Sequence, residues 1–316
     1  MKILVTGGAG FIGSHIVKKL LQAGSAVAIL DDFNDFYNPA IKRANVESFN
    51  GDAEVIEADI RDADRMKEVV GRGKYGSIIH IAARAGVRPS VLNPRAYIET
   101  NVIGTYNLLE AARTGGVGQF LLASSSSVYG LANKVPFSED LALPQTLSPY
   151  AATKLAAEHL CGNYSHLYDL PMVVMRFFTV YGPAQRPDLA IHKFTDRIFH
   201  GRPLQQYGDG STRRDYTYVD DIAQGVLGAL KYSRTPFEIF NLGENQTTTL
   251  SELIVAIESA LGKKATIERL PEQQGDMPLT CANIDKARAL LGYHPKVKIS
   301  EGIPKFVEWY LRQQKK

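Results

Sequence analysis

The sequence predicts an α/β fold with a doubly wound parallel sheet and a smaller C-terminal α/β domain. Through the first half of the 316-residue chain, short aliphatic and β-branched runs alternate with stretches of helical spacing. The runs are apolar throughout, which is typical of parallel strands covered on both faces. After residue 176 the alternation becomes irregular. We therefore expect a dinucleotide-binding domain at 1–175 and a mainly substrate-binding domain at 176–316, with the chain free to cross back between them.

Local spacing predicts the individual elements in order. Buried strands are expected at 3–5, 26–30, 54–56, 77–81, 119–122 and 173–176. The helices between them are expected at 14–22, 62–70, 94–113 and 149–168. In the second part, strands or loops at 204–218 and 237–242 alternate with helices at 193–200, 250–261, 284–291 and 301–313. Right-handed crossovers between such strands give a doubly wound sheet.

Composition excludes several classes of protein. The 36 basic and 33 acidic residues leave a net charge of +3, too small to indicate a nucleic-acid partner. Cys161 and Cys281 are far apart and lack metal-ligand spacing, so neither a disulfide framework nor a metal site is expected. No apolar run is long enough for a signal peptide or a membrane span. We expect a soluble, cytoplasmic protein, with His80 as a satisfied interior residue of a core strand.

A glycine-rich segment follows the first strand and opens the first helix. Its glycines Gly7, Gly10 and Gly13 allow a tight turn and a close approach of the backbone to a pyrophosphate, which the helix N-terminus then attracts. Asp31 ends the second strand, 18 residues after Gly13, where a carboxylate accepts hydrogen bonds from an adenosine ribose. No arginine follows within 32–35, so the pattern favours NAD over NADP. The alternative is a glycine turn without a ligand.

A tyrosine and a lysine four residues apart begin a predicted helix. Tyr150 and Lys154 therefore share one face, and a nearby ammonium favours the phenolate of a tyrosine whose ordinary pKa is about 10. Such a pair can act as a base toward a sugar hydroxyl. The serine run 124–127 ends a core strand, at the edge where ligands bind in such sheets. The alternatives are a surface helix pair and a polar loop.

In combination, these residues resemble the extended short-chain dehydrogenase/reductase family, and within it the nucleotide-sugar epimerases. The resemblance covers essentially the whole chain and rests on 5–13, 80–83, 101–105, 150–154 and 214–216. It implies a Rossmann fold, a tightly bound NAD and a UDP-sugar held by the C-terminal domain. It also implies that Ser125 assists Tyr150, although Ser126 or Ser127 could take that role, and that Lys154 holds the nicotinamide ribose. The implied cofactor-binding residues are Gly7, Gly10, Phe11, Ile12, Gly13, Asp31, Asn34, Asp59, Ile60, Ala82, Asn101, Tyr150 and Lys154. For Asp59 an ordinary loop position is an equal alternative.

The segment 176–188 distinguishes members of the family. UDP-galactose 4-epimerases usually carry asparagine where this chain has Thr179, whereas Thr179 with Arg186 resembles the UDP-glucuronate 4-epimerases. An arginine fork beside a hydroxyl suits a sugar carboxylate; the alternative is a solvated loop arginine. The related dehydratases and decarboxylases carry acidic residues where this chain has Ser126 and Ser127, which favours simple epimerisation. The implied substrate-binding residues are Arg88, Ser125, Ser126, Ser127, Thr179, Arg186, Tyr207, Arg214, Gln273 and Asp276. For Arg214 the alternative is a salt bridge to Asp215, and for Tyr207, Gln273 and Asp276 ordinary loop positions are an equal alternative.

The resemblance thus implies NAD-dependent C4 epimerisation of UDP-glucuronate to UDP-galacturonate through a transient 4-keto sugar. UDP-glucose/UDP-galactose 4-epimerase is the nearest alternative, followed by UDP-glucuronate decarboxylase. A dinucleotide-sensing regulatory protein on the same fold is the non-enzyme alternative, and the intact pair of Tyr150 and Lys154 argues against it. Relatives dimerise through helices that correspond to 94–113 and 149–168, so a homodimer with a four-helix interface is expected.

Overall fold

Strands and helices alternate through the first half of a computed structural model that describes residues 2–132, 134–143, 145–271 and 277–315. The strands are β1 (Lys2–Thr6), β2 (Ala26–Asp31), β3 (Ala53–Glu57), β4 (Ser77–His80), β5 (Gln119–Ser125), β6 (Met172–Phe177), β7 (Thr179–Tyr181), β8 (Leu204–Tyr207), β9 (Arg213–Arg214), β10 (Tyr216–Tyr218), β11 (Phe237–Leu242), β12 (Thr248–Thr249) and β13 (Ile267–Leu270). The helices are α1 (Phe11–Gln22), α2 (Pro39–Glu47), α3 (Ala63–Gly73), α4 (Val87–Leu92), α5 (Pro94–Tyr97), α6 (Thr105–Thr114), α7 (Pro149–Tyr168), α8 (Ala190–Phe199), α9 (Val219–Leu230), α10 (Leu250–Leu261), α11 (Asp285–Leu291) and α12 (Ile299–Gln313).

Seven parallel strands form the central sheet in the order β11-β6-β5-β4-β1-β2-β3. The chain builds the sheet outward from β1 to β3, then returns to the other side of β1 with β4 and continues to β11. This reversal between β1 and β4 creates the crevice in which open α/β sheets bind ligands. The doubly wound fold class predicted from the sequence is confirmed.

The segment predicted as one helix over 94–113 has three parts. After α5, residues Ile98–Gly104 form a π-helix, and α6 follows without a break. The buried Asn101 lies in this wider turn and bonds to the backbone of Arg84 and the hydroxyl of Thr153. Helical spacing alone did not reveal the bulge, because it depends on a side chain binding a distant loop.

Two further short helices were not expected from the sequence. Helix α2 starts at Pro39, after the Asn38 side chain accepts a hydrogen bond from the Ala40 amide. This Asn-Pro pair is a normal signal for the start of a helix, but a helix this short has no long periodic spacing to predict it. Helix α4 is only Val87–Leu92 and follows Gly86, whose φ is 113°. Both short helices border the crevice.

Apolar side chains pack on both faces of the sheet and in a third, separate cluster. Alternate residues of β1 show the two faces: Ile3 and Val5 belong to one cluster and Leu4 to the other. The third cluster includes Tyr181, Ile198, Leu253, Phe306 and Tyr310 from the C-terminal part.

The C-terminal part thus has a core of its own, yet β11 pairs with β6 in the central sheet. The expected boundary after residue 175 falls inside β6. None of the helices in the described ranges combines the length and the apolar composition needed to cross a bilayer.

Candidate active site

A cavity of about 330 Å³ opens at the carboxyl ends of β1 and β4, where the strand order reverses. The expected cofactor residues on its wall are Gly7, Gly10, Phe11, Ile12, Gly13, Asp31, Asn34, Asp59, Ile60, Ala82, Tyr150 and Lys154. The structure therefore brings together residues that are up to 147 positions apart in sequence, Gly7 and Lys154.

The glycine loop is shaped by contacts that no side chain would allow. Gly7 has φ 69°, and a Cβ there would lie 2.7 Å from the backbone nitrogen of Ala82. A Cβ on Gly13 would collide with the carbonyl oxygen of Gly7. Helix α1 begins at Phe11 with no side-chain cap, so no capping side chain occupies its first N–H groups, and Phe11, Ile12 and Gly13 line the cavity. This cradle fits the pyrophosphate of a dinucleotide.

Asp31 lies on the wall of the cavity, at the end of β2, and is only 5% exposed. Its Oδ1 accepts hydrogen bonds from the Phe33 amide at 2.9 Å and from the Lys42 ammonium at 3.2 Å. Burial raises the pKa of Asp31, and the charge of Lys42 acts in the opposite direction. The buried Lys42 also lies 3.7 Å from Asp32. The sequence alone does not predict this contact, because Lys42 follows Asp31 by 11 residues in a separate helix.

Asn101 differs from the other expected cofactor residues. Its side-chain oxygen accepts a hydrogen bond from the Arg84 amide at 2.8 Å, and its amide nitrogen donates to the Arg84 carbonyl at 2.9 Å. Both ends of the side chain are thus occupied by the loop after β4, which forms part of the cavity wall. Asn101 contacts this loop and does not itself line the first cavity, so its direct contact with a cofactor stays a prediction.

Tyr150 and Lys154 lie on the first turns of α7, which begins where Ser148 caps the amide of Ala151. Lys154 donates a hydrogen bond from Nζ to the Ala123 carbonyl at 2.7 Å, at the end of β5. Burial lowers the pKa of Lys154 to about 8, and the nearby Glu158 carboxylate opposes that shift. The ammonium is therefore held at the strand end, between the helix and the serine run.

The pKa of the Tyr150 phenol depends on burial and on two neighbouring side chains. Burial raises its pKa, while the Ser125 hydroxyl and the positive charge of Arg186 act in the opposite direction. Arg186 is thus the charged side chain that opposes the rise in the Tyr150 pKa. The Lys154 ammonium is bonded to the Ala123 carbonyl, and the effect on Tyr150 expected of it stays a prediction. Ser125 also accepts hydrogen bonds from the amide and hydroxyl of Ser127, at 3.2 and 3.0 Å.

A second cavity of about 250 Å³ adjoins the first, and Thr179 lines both. Its wall includes the expected substrate residues Arg88, Ser126, Ser127, Thr179 and Arg214.

Tyr207 joins this group through Arg88, whose guanidinium lies 4.9 Å from the centre of the Tyr207 ring. The expected residues Gln273 and Asp276 lie outside the described residues. Next to Arg214, the buried Asp215 accepts hydrogen bonds from the amides of Glu244, Asn245 and Ala282 and thereby ties three segments together.

Arg186 lies on the wall of the first cavity, in the loop after β7. Its Nε and Nη2 donate to the two carboxylate oxygens of Asp188, each at 2.9 Å. The guanidinium also lies 5.4 Å from the centre of the Phe36 ring. A guanidinium has five N–H donors in two usable edges, and the pair with Asp188 uses one of those edges. The residue is therefore held in place and is not a solvated loop arginine.

His80 occupies the core as expected: its ring nitrogens contact the hydroxyls of Thr6 and Thr105 at 2.7 and 2.9 Å. Burial lowers its pKa to about 3. Cys161 and Cys281 are both free thiols. Within the described ranges, no group of histidine, cysteine or acidic side chains is arranged to hold a metal ion.

Comparison with known proteins gives one consistent picture. A family model described as GDP-mannose 4,6 dehydratase matches residues 4–306. The UDP-glucuronate 4-epimerase of Thermodesulfobacterium geofontis is 42% identical, over 97% of this chain and 95% of its own. Bacillus cereus UDP-glucuronic acid 4-epimerase, solved with UDP-glucuronic acid and NAD, has a TM-score of 0.92 at 37% identity, over 99% of this chain and 100% of its own. Thermus thermophilus UDP-glucose 4-epimerase, solved with NAD, has a TM-score of 0.90 at 35% identity, over 98% and 99%.

Proposed function

The chain belongs to the family that the GDP-mannose 4,6 dehydratase model describes, within the extended short-chain dehydrogenases/reductases, and from this premise we propose that it is an NAD-dependent UDP-glucuronate 4-epimerase. One observation carries the proposal. Tyr150, Ser125 and Arg186 all line the first cavity, and so does Thr179, which also lines the second. One cavity wall thus carries both a base, Tyr150, and a group that can bind a carboxylate, Arg186.

The cofactor part of the proposal rests on the cradle at the glycine loop and on Asp31. NAD fits these residues, since Gly7 and Gly13 leave room for a pyrophosphate and Asp31 offers a carboxylate to a ribose. When bound, NAD supplies the chemistry of the reaction, because it takes the hydride from C4 of the sugar and returns it to the other face of the 4-keto sugar. The chain contributes binding, orientation and proton transfer.

Tyr150 is the group that takes the proton of the 4-hydroxyl and later returns it. Burial raises the pKa of its phenol, and the Ser125 hydroxyl and the Arg186 charge oppose that rise. Lys154 lies one turn further along α7, where it holds a buried positive charge at the end of β5. We assign it to the ribose of the nicotinamide half and Ser125 to the reacting hydroxyl.

Arg186 and Thr179 bind the sugar carboxylate in this proposal. Asp188 occupies the Nε–Nη2 edge of the guanidinium, so the Nη1 side is the one that a substrate can use. Oxidation at C4 makes a β-keto acid, which loses carbon dioxide readily when its carboxylate turns out of plane. A clamped carboxylate resists that loss. Arg88, Tyr207 and Arg214 are assigned to the UDP part.

The arrangement favours epimerisation over dehydration or decarboxylation. Ser126 and Ser127 lie on the second cavity in the place where the related dehydratases and decarboxylases carry acids. Of the described residues on the second cavity, none is acidic, and the acids on the first cavity are Asp31, Asp32 and Asp59, at its adenosine end. No carboxylic acid among them is placed to protonate a leaving group on the sugar.

UDP-glucose 4-epimerase is the second candidate. The observation in its favour is the pairing of Arg186 with Asp188, which already neutralises the charge that a uronate would need. Product analysis separates the two. The purified protein should convert UDP-glucuronate into a mixture with UDP-galacturonate, resolved by anion-exchange chromatography, and should convert UDP-glucose much more slowly. Faster turnover of UDP-glucose would give that function first place, and release of a UDP-pentose would indicate a decarboxylase.

We further propose that the protein forms a homodimer and that its two parts bind different ligands. Large apolar side chains are exposed on the two helical segments expected at the interface, namely Ile98, Ile103, Tyr106, Leu167 and Tyr168. A second copy would cover them, and a monomer in light scattering would contradict this.

The segments after β6 that pack in the third cluster are assigned to the nucleotide sugar, while β11 and α9 complete the cofactor domain.

A further inference from the structure

We infer that His15 is a positioning residue, which in its doubly protonated form clamps the loop carrying Arg186 to the helix that binds the cofactor. His15 lies on α1, five residues after Gly10, and its ring reaches across to α9 and to the loop after β7. Its consequence for substrate selection rests on the proposed function, whereas its protonation state does not.

The two contacts of the ring are both to oxygen atoms that only accept hydrogen bonds. Nδ1 lies 2.9 Å from Oδ1 of Asp220, and Nε2 lies 3.0 Å from the carbonyl oxygen of Pro183. A carbonyl has no proton to give, and the hydrogen bond from His15 holds the pKa of Asp220 below its ordinary range, so that group is a carboxylate. Both ring nitrogens must therefore donate.

A neutral imidazole has only one N–H group and cannot make both bonds. Its second nitrogen would direct a lone pair at an oxygen about 3 Å away, which is repulsive. Only the imidazolium fits the observed geometry. The ring is largely buried, with its side chain 16% exposed, and packs edge-on against Phe11. The charged groups near the His15 ring are its partner Asp220 from α9, and Lys18 and Lys19 from α1, which act on Asp220.

The Pro183 carbonyl belongs to a tight turn that directly precedes Arg186. Gly182 has φ 143°, the Gln185 amide donates to the Gly182 carbonyl, and the buried Gln185 side chain donates to the carbonyl of Val180. Arg186 is the next residue. Because this turn is rigid, a shift of the Pro183 carbonyl moves the guanidinium that binds the carboxylate.

His15 thus connects the two halves of the site. When His15 loses its second proton, one of the two hydrogen bonds is lost, and the loop is no longer tied to α1. We therefore expect selectivity for a uronate to be highest where His15 is doubly protonated and to fall as the pH rises. Binding of the UDP part, which does not involve this loop, should stay the same.

The test uses H15Q, whose amide nitrogen can donate to only one of the two oxygens, with the exposed His294 changed in H294Q as a matched control. We expect H15Q to raise KM for UDP-glucuronate on the order of tenfold, the effect of about 1.4 kcal/mol, and to flatten its pH dependence. The Kd of UDP, measured by calorimetry, should be unchanged, as should both constants in H294Q. An equal weakening of UDP and UDP-glucuronate in H15Q would make His15 a general structural residue and overturn the proposal.

A second measurement reads the protonation state directly. In protein labelled with ¹⁵N-histidine, the His15 signals are those absent from H15Q. Both ring nitrogens should carry protons, and the second proton should be lost over the same pH range in which KM rises. A singly protonated His15 at the pH of lowest KM would overturn the clamp. An unmodified chain that does not turn over UDP-glucuronate would instead refute the proposed function, and the nitrogen signals would still decide the state of His15.

Discussion

The cofactor cavity and the substrate cavity are built from different kinds of interaction. The first depends on close backbone contacts: Gly7 and Gly13 are in places where any side chain would strike the backbone. The proposed substrate site depends on charged side chains held by other side chains, as Arg186 on the first cavity is by Asp188 and Arg88 on the second is by Tyr207. The steric part and the charge-built part of the site should therefore fail separately. Tyr150, which lines the first cavity together with Arg186, should be required for turnover even when both parts are intact.

The largest effect is expected for Tyr150→Phe. Loss of the proton acceptor should reduce turnover about 10²–10⁴-fold, because a general base contributes that factor. NAD released from the denatured variant should equal that of the unmodified chain, since the glycine cradle is untouched. Tyr97→Phe is a matched control, because its hydroxyl only donates to the Ala85 carbonyl and its ring packs against Tyr150. Near-normal turnover in Tyr150→Phe would remove this residue from the mechanism.

Gly13→Ala tests the steric half. The added methyl group would strike the Gly7 carbonyl, so the cradle must open, and NAD occupancy should fall about tenfold or more. Gly71→Ala is the matched control, because it lies in α3 with open space around it and should stabilise the protein by up to about 1 kcal/mol. NAD content is measured by absorbance after acid release. Full occupancy in Gly13→Ala would show that the loop is not a close-fitting cradle.

Arg186→Ala tests the charge-built half. Loss of charged hydrogen bonds, which contribute about 1.5–3 kcal/mol each, should raise KM for UDP-glucuronate roughly ten- to a hundredfold while NAD content stays normal. KM for UDP-glucose should change little, and some UDP-pentose should form from the unclamped keto acid. Arg186→Lys keeps the charge and loses the fork, so it should fall in between. Equal losses on both sugars would make Arg186 a structural residue.

The last prediction concerns the stability of the folded chain and uses Lys154→Met. The pKa of Lys154 is about 8 in the folded chain, below the ordinary value of 10.5. Between these two pKa values the unfolded chain binds more protons than the folded chain, so the free energy of unfolding rises with pH. Below the lower value, the buried charge reduces the free energy of unfolding by a constant amount. At pH 7 the free energy of unfolding of the variant should therefore exceed that of the unmodified chain by up to about 3 kcal/mol. Loss of the hydrogen bond to the Ala123 carbonyl reduces this gain. Denaturant unfolding at pH 7 and pH 10 measures this, and a larger gain at pH 10 would contradict it.

The same contrast explains what could be predicted from the sequence. The central sheet and α7 came from local patterns, since apolar runs and helical spacing are properties of neighbouring residues. The glycine loop and Asp31 belong to the same class, because their spacing within one strand-turn-helix unit dictates their geometry. Every expected cofactor residue except Asn101 lies on the first cavity.

The sequence was less informative wherever a distant side chain decides the outcome. Nothing local indicated that Lys42 would be buried against Asp31, or that Asn101 would widen a helix to bind the Arg84 backbone. The return of β11 to the sheet depends on the pairing of strands 60 residues apart, counted from Phe177 to Phe237. His15 is a further case, because its partners are 205 and 168 residues away.

The central claim is that this single site removes a hydrogen from C4 of UDP-glucuronate and returns it to the same carbon on the other face. The most direct measurement incubates the purified protein with UDP-glucuronate carrying deuterium at C4 and follows the products by proton NMR. We expect UDP-galacturonate that keeps its deuterium at C4, with almost no UDP-pentose. Washout of the deuterium into water, or a pentose as the main product, would contradict it.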